Sequence, residues 1–186
     1  MPPESTLARI HQAARSEFRE KGFQGASLRN IVKSVGMTTG AFYGYYKSKE
    51  ALFEALVGAH YRYLVGRFCQ AQKEFARLPR DRQPEGLGDF SGACMFDMLH
   101  YAYDHLEECQ LLLCAAEGTQ FAGLVDKMVQ IETDATHDYM EVLEELGVAD
   151  QTIGAVAVGC ACLMIDTFGI DWIQAQHGRA AAVAAA

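Results

Sequence analysis

The sequence predicts an all-α chain, on three observations. No stretch alternates apolar and polar residues long enough to make a strand, apolar residues recur three and four apart throughout, and Gly22, Gly36 and Gly118 stand where those runs stop. With 186 residues, half of them apolar, the chain can bury a sizeable core. The elements then follow in order.

A first helix is predicted over residues 5–21, with Leu7, Ile10, Ala14 and Phe18 on one face and Gly22 at its end. Ser27 can cap a second helix over 28–35 by accepting from an unpaired backbone N–H through its hydroxyl. Gly36 ends that helix in the left-handed conformation, and Thr38 can cap a third over 39–45. Two helices joined by so short a turn define a helix-turn-helix, whose second helix enters the major groove of DNA.

The third helix suits that task. Gly40, Ala41 and Gly44 leave no bulk between backbone and duplex, although two glycines cost a short helix roughly 1 kcal/mol each relative to alanine. Tyr43, Tyr45, Lys47 and Lys49 offer hydroxyls and charge to phosphates, while Phe42 and Tyr46 are expected in the core. Candidate DNA contacts are therefore Ser27, Thr38, Thr39, Gly40, Tyr43, Gly44, Tyr45, Lys47 and Lys49.

Charge is distributed accordingly. The net charge is −8, yet residues 1–50 hold eight basic against four acidic side chains, leaving eight against twenty for the rest. A basic N-terminal third on an acidic body is the expected footprint of local DNA binding.

Beyond it, a long helix over residues 48–78 begins in the reading unit and ends in the body, which makes it the mechanical link between them. Residues 79–88, with two prolines and two glycines, are expected to form a linker. Residues 89–105 are apolar on nearly all sides and should be surrounded by protein. A short helix over 106–117, a break at Gly118-Thr119, a long helix to 146 and a last one over 150–176 complete the chain, which closes on a low-complexity RAAAVAAA.

The N-terminal residues resemble the DNA-binding domain of the TetR family of transcriptional repressors. The likeness rests on Ile10, Ala13-Ala14, Phe18, Gly22-Phe23, Ser27, Ile31-Val32, Val35-Gly36-Met37-Thr38, Gly40, Tyr43, Tyr45-Tyr46, Ser48-Lys49-Glu50 and Leu52, many positions at fixed spacing. His11 departs from an aliphatic position, Val32 and Val35 from smaller alanines, and Tyr45 from the usual His. The resemblance implies a helix-turn-helix DNA-binding domain over residues 1–50 and a helical ligand-binding and dimerisation domain over 51–186. It also implies a homodimer on palindromic operator DNA, closed by a four-helix bundle from the two C-terminal helices of each subunit.

Dimer candidates in the last helix are Gly154, Ala155 and Gly159, which admit a neighbouring backbone, and Leu163, Phe168 and Trp172, which supply bulk. The resemblance places an effector cavity among the middle helices, where Phe90, Cys94, Met98, Tyr101, Leu113, Phe121 and Met128 are candidates to line it, although each alone reads more readily as core. Asp97 and Glu117 are carboxylates flanked by apolar residues, and a buried charge needs a partner, either a ligand or another side chain. A small-molecule sensor is thus expected; the alternatives are a body that docks a protein or senses redox state through cysteine.

Six cysteines form no CxxC pair, and Cys109, beside Glu107 and Glu108, is expected to be the most exposed. No HExxH, GxSxG or GxxxxGK occurs, so neither an enzyme nor a cofactor is expected. His100 with Asp104, and Asp134 with Asp138 near His137, read as solvated polar positions rather than metal ligands. The longest apolar run covers residues 153–165, short of the roughly twenty a membrane span needs. With no signal-peptide pattern at the start, a cytoplasmic location is expected.

Overall fold

The computed structural model describes residues 5–147, and every regular element among them is helical. The expected helix over 150–176, its dimer candidates Gly154, Ala155, Gly159, Leu163, Phe168 and Trp172, and Cys160 and Cys162 lie outside the described residues.

Helix α1 (Thr6–Gly25) starts where the Ser5 hydroxyl accepts from the Ala8 N–H at 3.1 Å, and it buries Ile10, Ala14, Phe18 and Phe23. Gly22 interrupts it at φ +68°, the expected stop, and one further turn follows. Helices α2 (Leu28–Ser34) and α3 (Thr39–Phe42) come next, then α4 (Lys49–Ala76). A single 3-10 turn at Arg80–Arg82 leads into α5 (Gln83–Asp104), followed by α6 (Leu106–Cys114) and α7 (Leu124–Glu145).

The described chain divides into two compact units, one running through Leu64 and including Asp104–Leu124, the other comprising Val65–Tyr103 and the residues from Val125. In the first, an aromatic cluster forms the centre: Phe53 meets Phe18 edge-on at 5.0 Å between ring centroids and Phe23 at 5.3 Å. Such edge-to-face pairs add to the burial of three large apolar side chains. Phe121 adjoins Phe53 on another side. Helix α6 is built into this unit, since the Phe23 N–H donates to the Ala115 carbonyl at 2.8 Å and Arg15 pairs with Glu108 at 2.8 Å.

In the second unit α4, α5 and α7 bury Phe68, Phe75, Cys94, Met98, Met128 and Leu143. The expected linker over 79–88 is mostly helical instead. Pro84 falls in the first turn of α5, where a missing N–H costs nothing, and the buried Gln83 amide donates to the Leu78 carbonyl at 3.2 Å. Nor is α5 enclosed on all sides: Cys94 and Met98 point inward, while Phe96 and Tyr103 are 69% and 74% exposed. Apolar composition all round a helix did not become burial all round: Phe90, Cys94 and Met98 line a cleft with α4 and α7 residues, and Phe96 and Tyr103 lie away from it.

Candidate nucleic-acid interface

The geometry of the reading unit begins with the turn between α2 and α3. Gly36 adopts φ +71°, a conformation that a side chain would strain, and its N–H donates to the Lys33 carbonyl at 3.1 Å. The Arg9 guanidinium donates to the Val35 carbonyl at 2.6 Å, tying the end of α2 to α1. Thr38 caps α3 as expected, its hydroxyl accepting from the Ala41 N–H at 3.1 Å.

Ser27 does not cap α2 with its hydroxyl. Its own N–H donates instead to Glu17 at 3.0 Å, and Asn30 reaches the same carboxylate at 3.2 Å. The Glu17 carboxylate thus stands at the N-terminus of α2, where the helix dipole favours negative charge, and it accepts from the Ser27 N–H and the Asn30 side-chain amide rather than from the N–H groups a capping hydroxyl would take. The Ser27 bond, first, and contacts with Lys21 and Asn30 hold the Glu17 carboxyl below its ordinary range.

Helix α3 is one turn shorter than the sequence suggests: it ends at Phe42, and Tyr45 and Tyr46 donate their backbone N–H groups back to the Phe42 carbonyl. Gly44 therefore lies in the turn beyond the helix. Phe42 is fully buried and anchors the segment, and Tyr46 turns inward to His11, whose Nε2 lies 2.5 Å from its hydroxyl. Around this anchor, Thr39, Gly40, Tyr43, Gly44, Tyr45 and Lys47 are all exposed, with Tyr43 at 54% and Tyr45 at 48%. A Cβ on Gly40 would meet nothing nearer than the Thr38 hydroxyl at 3.9 Å, so internal packing does not demand glycine there.

Lys49 departs from the expectation of a solvent-facing phosphate contact. Its ammonium donates to the carbonyls of Phe23 at 2.7 Å and Ala26 at 3.0 Å, and it stands 4.4 Å from the centroid of the Phe23 ring. The carbonyls left unpaired where α1 ends recruit the nearest cation.

Residues 10–56 match the family described as bacterial regulatory proteins, tetR family. This chain carries a TetR-family DNA-binding domain. Over 49 residues it is 45% identical to the uncharacterized HTH-type transcriptional regulator YdgC of Bacillus subtilis, covering 26% of this chain and 25% of that one. Over 52 residues it is 44% identical to UidR of Escherichia coli, covering 28% and 26%. The chain thus matches about a quarter of the length of these curated relatives. Among solved structures, it is similar to NalD, the secondary repressor of the MexAB-OprM multidrug efflux pump in Pseudomonas aeruginosa, at 19% identity and a TM-score of 0.43 over 91% of this chain and 85% of that one.

Outside the TetR-family domain, the second unit contains a cleft of about 70 Å³ among α4, α5 and α7, lined by aromatic side chains that include Phe68, Phe75, Phe90 and Tyr139. Of the sequence candidates, Phe90, Cys94 and Met98 line it. Phe121 packs on Phe53 and Tyr61 in the first unit, Leu113 belongs to α6 of that unit, and neither Tyr101 nor the buried Met128 lines the cleft.

The two carboxylates singled out from sequence are both exposed. Asp97 pairs with Arg67 at 2.7 Å, and Glu117 lies past the end of α6. Glu132 of α7 is the carboxylate that faces the cleft, where it accepts from the Gln72 amide. Burial pushes its carboxyl above the usual range, against the opposing effect of the Gln72 bond. The sequence does hold a signal for it, since Met128, Glu132 and Tyr139 share one helical stripe.

Cys109 is buried rather than exposed, and its thiol is pushed up to about 11 by burial and then by Glu108. Burial also raises Cys94, and desolvation by its neighbours raises Cys114 even though part of that residue is exposed. No helix of the described residues is long and apolar enough to cross a membrane.

Proposed function

We propose that this chain is a homodimeric transcriptional repressor, working in the cytoplasm, that binds palindromic operator DNA and leaves it when a small molecule occupies the second unit. The observation that carries the reading is the exposed edge formed by Thr39, Gly40, Tyr43, Tyr45 and Lys47 around a fully buried Phe42. Tyrosine hydroxyls and a lysine suit phosphate oxygens, and an open Gly40 lets the α3 backbone approach a base edge. Ser27 and Lys49 are engaged at the N-terminus of α2 and the end of α1, so they act in this reading by holding the head in shape.

Dimerisation would bring two such heads about one DNA turn apart, with Gly154, Ala155, Gly159, Leu163, Phe168 and Trp172 as the surface that joins the copies. Helix α4, continuous from Lys49 to Ala76, supplies the route by which an effector could move a head. The effector reading rests on the aromatic cleft with Glu132 at its wall, which suits a small apolar body bearing a cation or hydrogen-bond donor. A cavity of about 70 Å³ admits only a small group as it stands, and Met95 and Met98 are the side chains whose adaptability would enlarge it. The raised thiols of Cys94, Cys109 and Cys114 speak against redox sensing at those positions.

Selection of duplexes from a random pool at low salt tests the DNA reading. Enrichment of a palindrome whose half-sites lie about one turn apart, with affinity falling steeply as salt rises, is the expected result. A dimer that retains no duplex would overturn it.

A further inference from the structure

Apart from the reading edge and the cleft, the first unit gathers two imidazoles and a carboxylate. His60 of α4, His105 immediately before α6 and Glu108 in its first turn each offer one ligand atom, and these atoms lie within 4.8 Å of one another. The two imidazole rings stand 4.7 Å apart, centroid to centroid. All three residues are half-buried, so an ion there would keep limited access to water. His105 and Glu108 are three apart at one helix start and therefore share a side, while His60 arrives from a segment forty-five residues earlier.

We propose that His60, His105 and Glu108 form a binding site for a zinc-class divalent transition metal. Two neutral imidazoles and one carboxylate are a ligand set that zinc accepts, leaving its fourth position to water. At bond lengths of about 2.1 Å a tetrahedral ion spaces its ligand atoms roughly 3.4 Å apart, so ligand atoms now up to 4.8 Å apart need to close in by at most about 1.4 Å, within the reach of small rotamer changes. The nearby cation does not oppose this. Arg15 holds one Glu108 oxygen at 2.8 Å and lies 3.8 Å from Glu107, so the carboxylates outnumber it, and a carboxylate that ligates a metal is commonly held by a hydrogen bond of its own, here from Arg15. Because Glu108 is tied to Arg15 of α1, an ion bridging α4 and α6 would stiffen the unit that carries the reading head.

The test uses the full-length, untagged chain freed of metal by chelator dialysis, titrated with zinc against a chromophoric chelator and with cobalt for its ligand-field spectrum. The expected result is uptake of about one ion per chain with a cobalt spectrum of nitrogen and oxygen ligands, without thiolate charge transfer. His60→Ala and His105→Ala should each weaken binding by more than the roughly 10–100-fold that loss of an outer partner costs, while His137→Ala leaves it unchanged. Where His60→Ala fails to fold by circular dichroism, His105→Gln serves in its place, and zinc should raise the melting temperature of the parent chain but not of that variant. No uptake by the parent chain, a thiolate signature, or binding indifferent to both histidines would overturn the site.

Discussion

The Lys49 ammonium lies between the Phe23 carbonyl, at 2.7 Å, and the face of the Phe23 ring, 4.4 Å from its centroid. One side chain at the start of α4 thereby closes the end of α1, with a second carbonyl, that of Ala26, at 3.0 Å. Replacing Lys49 with Met should keep much of the stem packing and leave those carbonyls without a charged donor. A loss of roughly 1–3 kcal/mol in urea unfolding is expected, with the salt dependence of DNA binding unaltered. If Lys49→Met instead lowers the salt slope at unchanged stability, the lysine contacts phosphate after all.

Lys47 should behave in the opposite way. It is exposed on the reading edge, so Lys47→Ala should leave unfolding within about 0.5 kcal/mol of the parent chain and reduce the salt slope by about one. Tyr43→Phe, which removes only a hydroxyl, should weaken duplex binding without changing stability. Fluorescence anisotropy across a salt series measures both effects.

His11 and Tyr46 link α1 to the segment after α3, and burial, followed by the Arg15 charge, lowers the His11 pKa below its ordinary 6.5. A base with a depressed folded-state pKa binds more protons unfolded than folded. Its contribution is therefore complete above about pH 6.5 and is lost as pH falls through the lower folded value. Denaturation midpoints should drop between neutral and mildly acidic pH, and His11→Leu, which restores an aliphatic residue, should flatten that drop. Parallel pH profiles for the two proteins would remove His11 from the account.

Glu132 carries the opposite sign. Its carboxyl is raised by burial, so the folded state holds the proton longer and stability declines as pH rises from the unfolded value near 4.5 through the folded one. Glu132→Gln keeps an acceptor for the Gln72 amide and removes the ionisation, so it should stabilise the chain at neutral pH and lose that advantage in acid. The same variant should diminish any response to cationic effectors in a thermal-shift screen, whereas Asp97→Asn, exposed and paired with Arg67, should not. Equal responses from the two variants would detach Glu132 from ligand recognition.

What the sequence by itself determined was local. Ser5 and Thr38 cap their helices, Gly22 and Gly36 break theirs at positive φ, and Phe42 anchors a segment whose neighbours face solvent. Each depends on residues within a turn or two, so residue type and spacing suffice. Tertiary structure alone decided what the charged side chains do. Glu17 accepts from the Ser27 N–H at the start of α2, Lys49 turns to a carbonyl twenty-six residues back, and Gln72 meets Glu132 across sixty residues. By sequence the enclosed carboxylate would be Asp97, between Phe96 and Met98, rather than Glu132, which has Ile131 on one side and Thr133 and Asp134 on the other. The rotation of each helix about its axis, set by which apolar stripe packs, sends Asp97 outward to Arg67 and Glu132 inward to the cleft. His60, His105 and Glu108 come together for the same reason: their proximity belongs to the packing of α4 and α6, and no spacing along the chain encodes it.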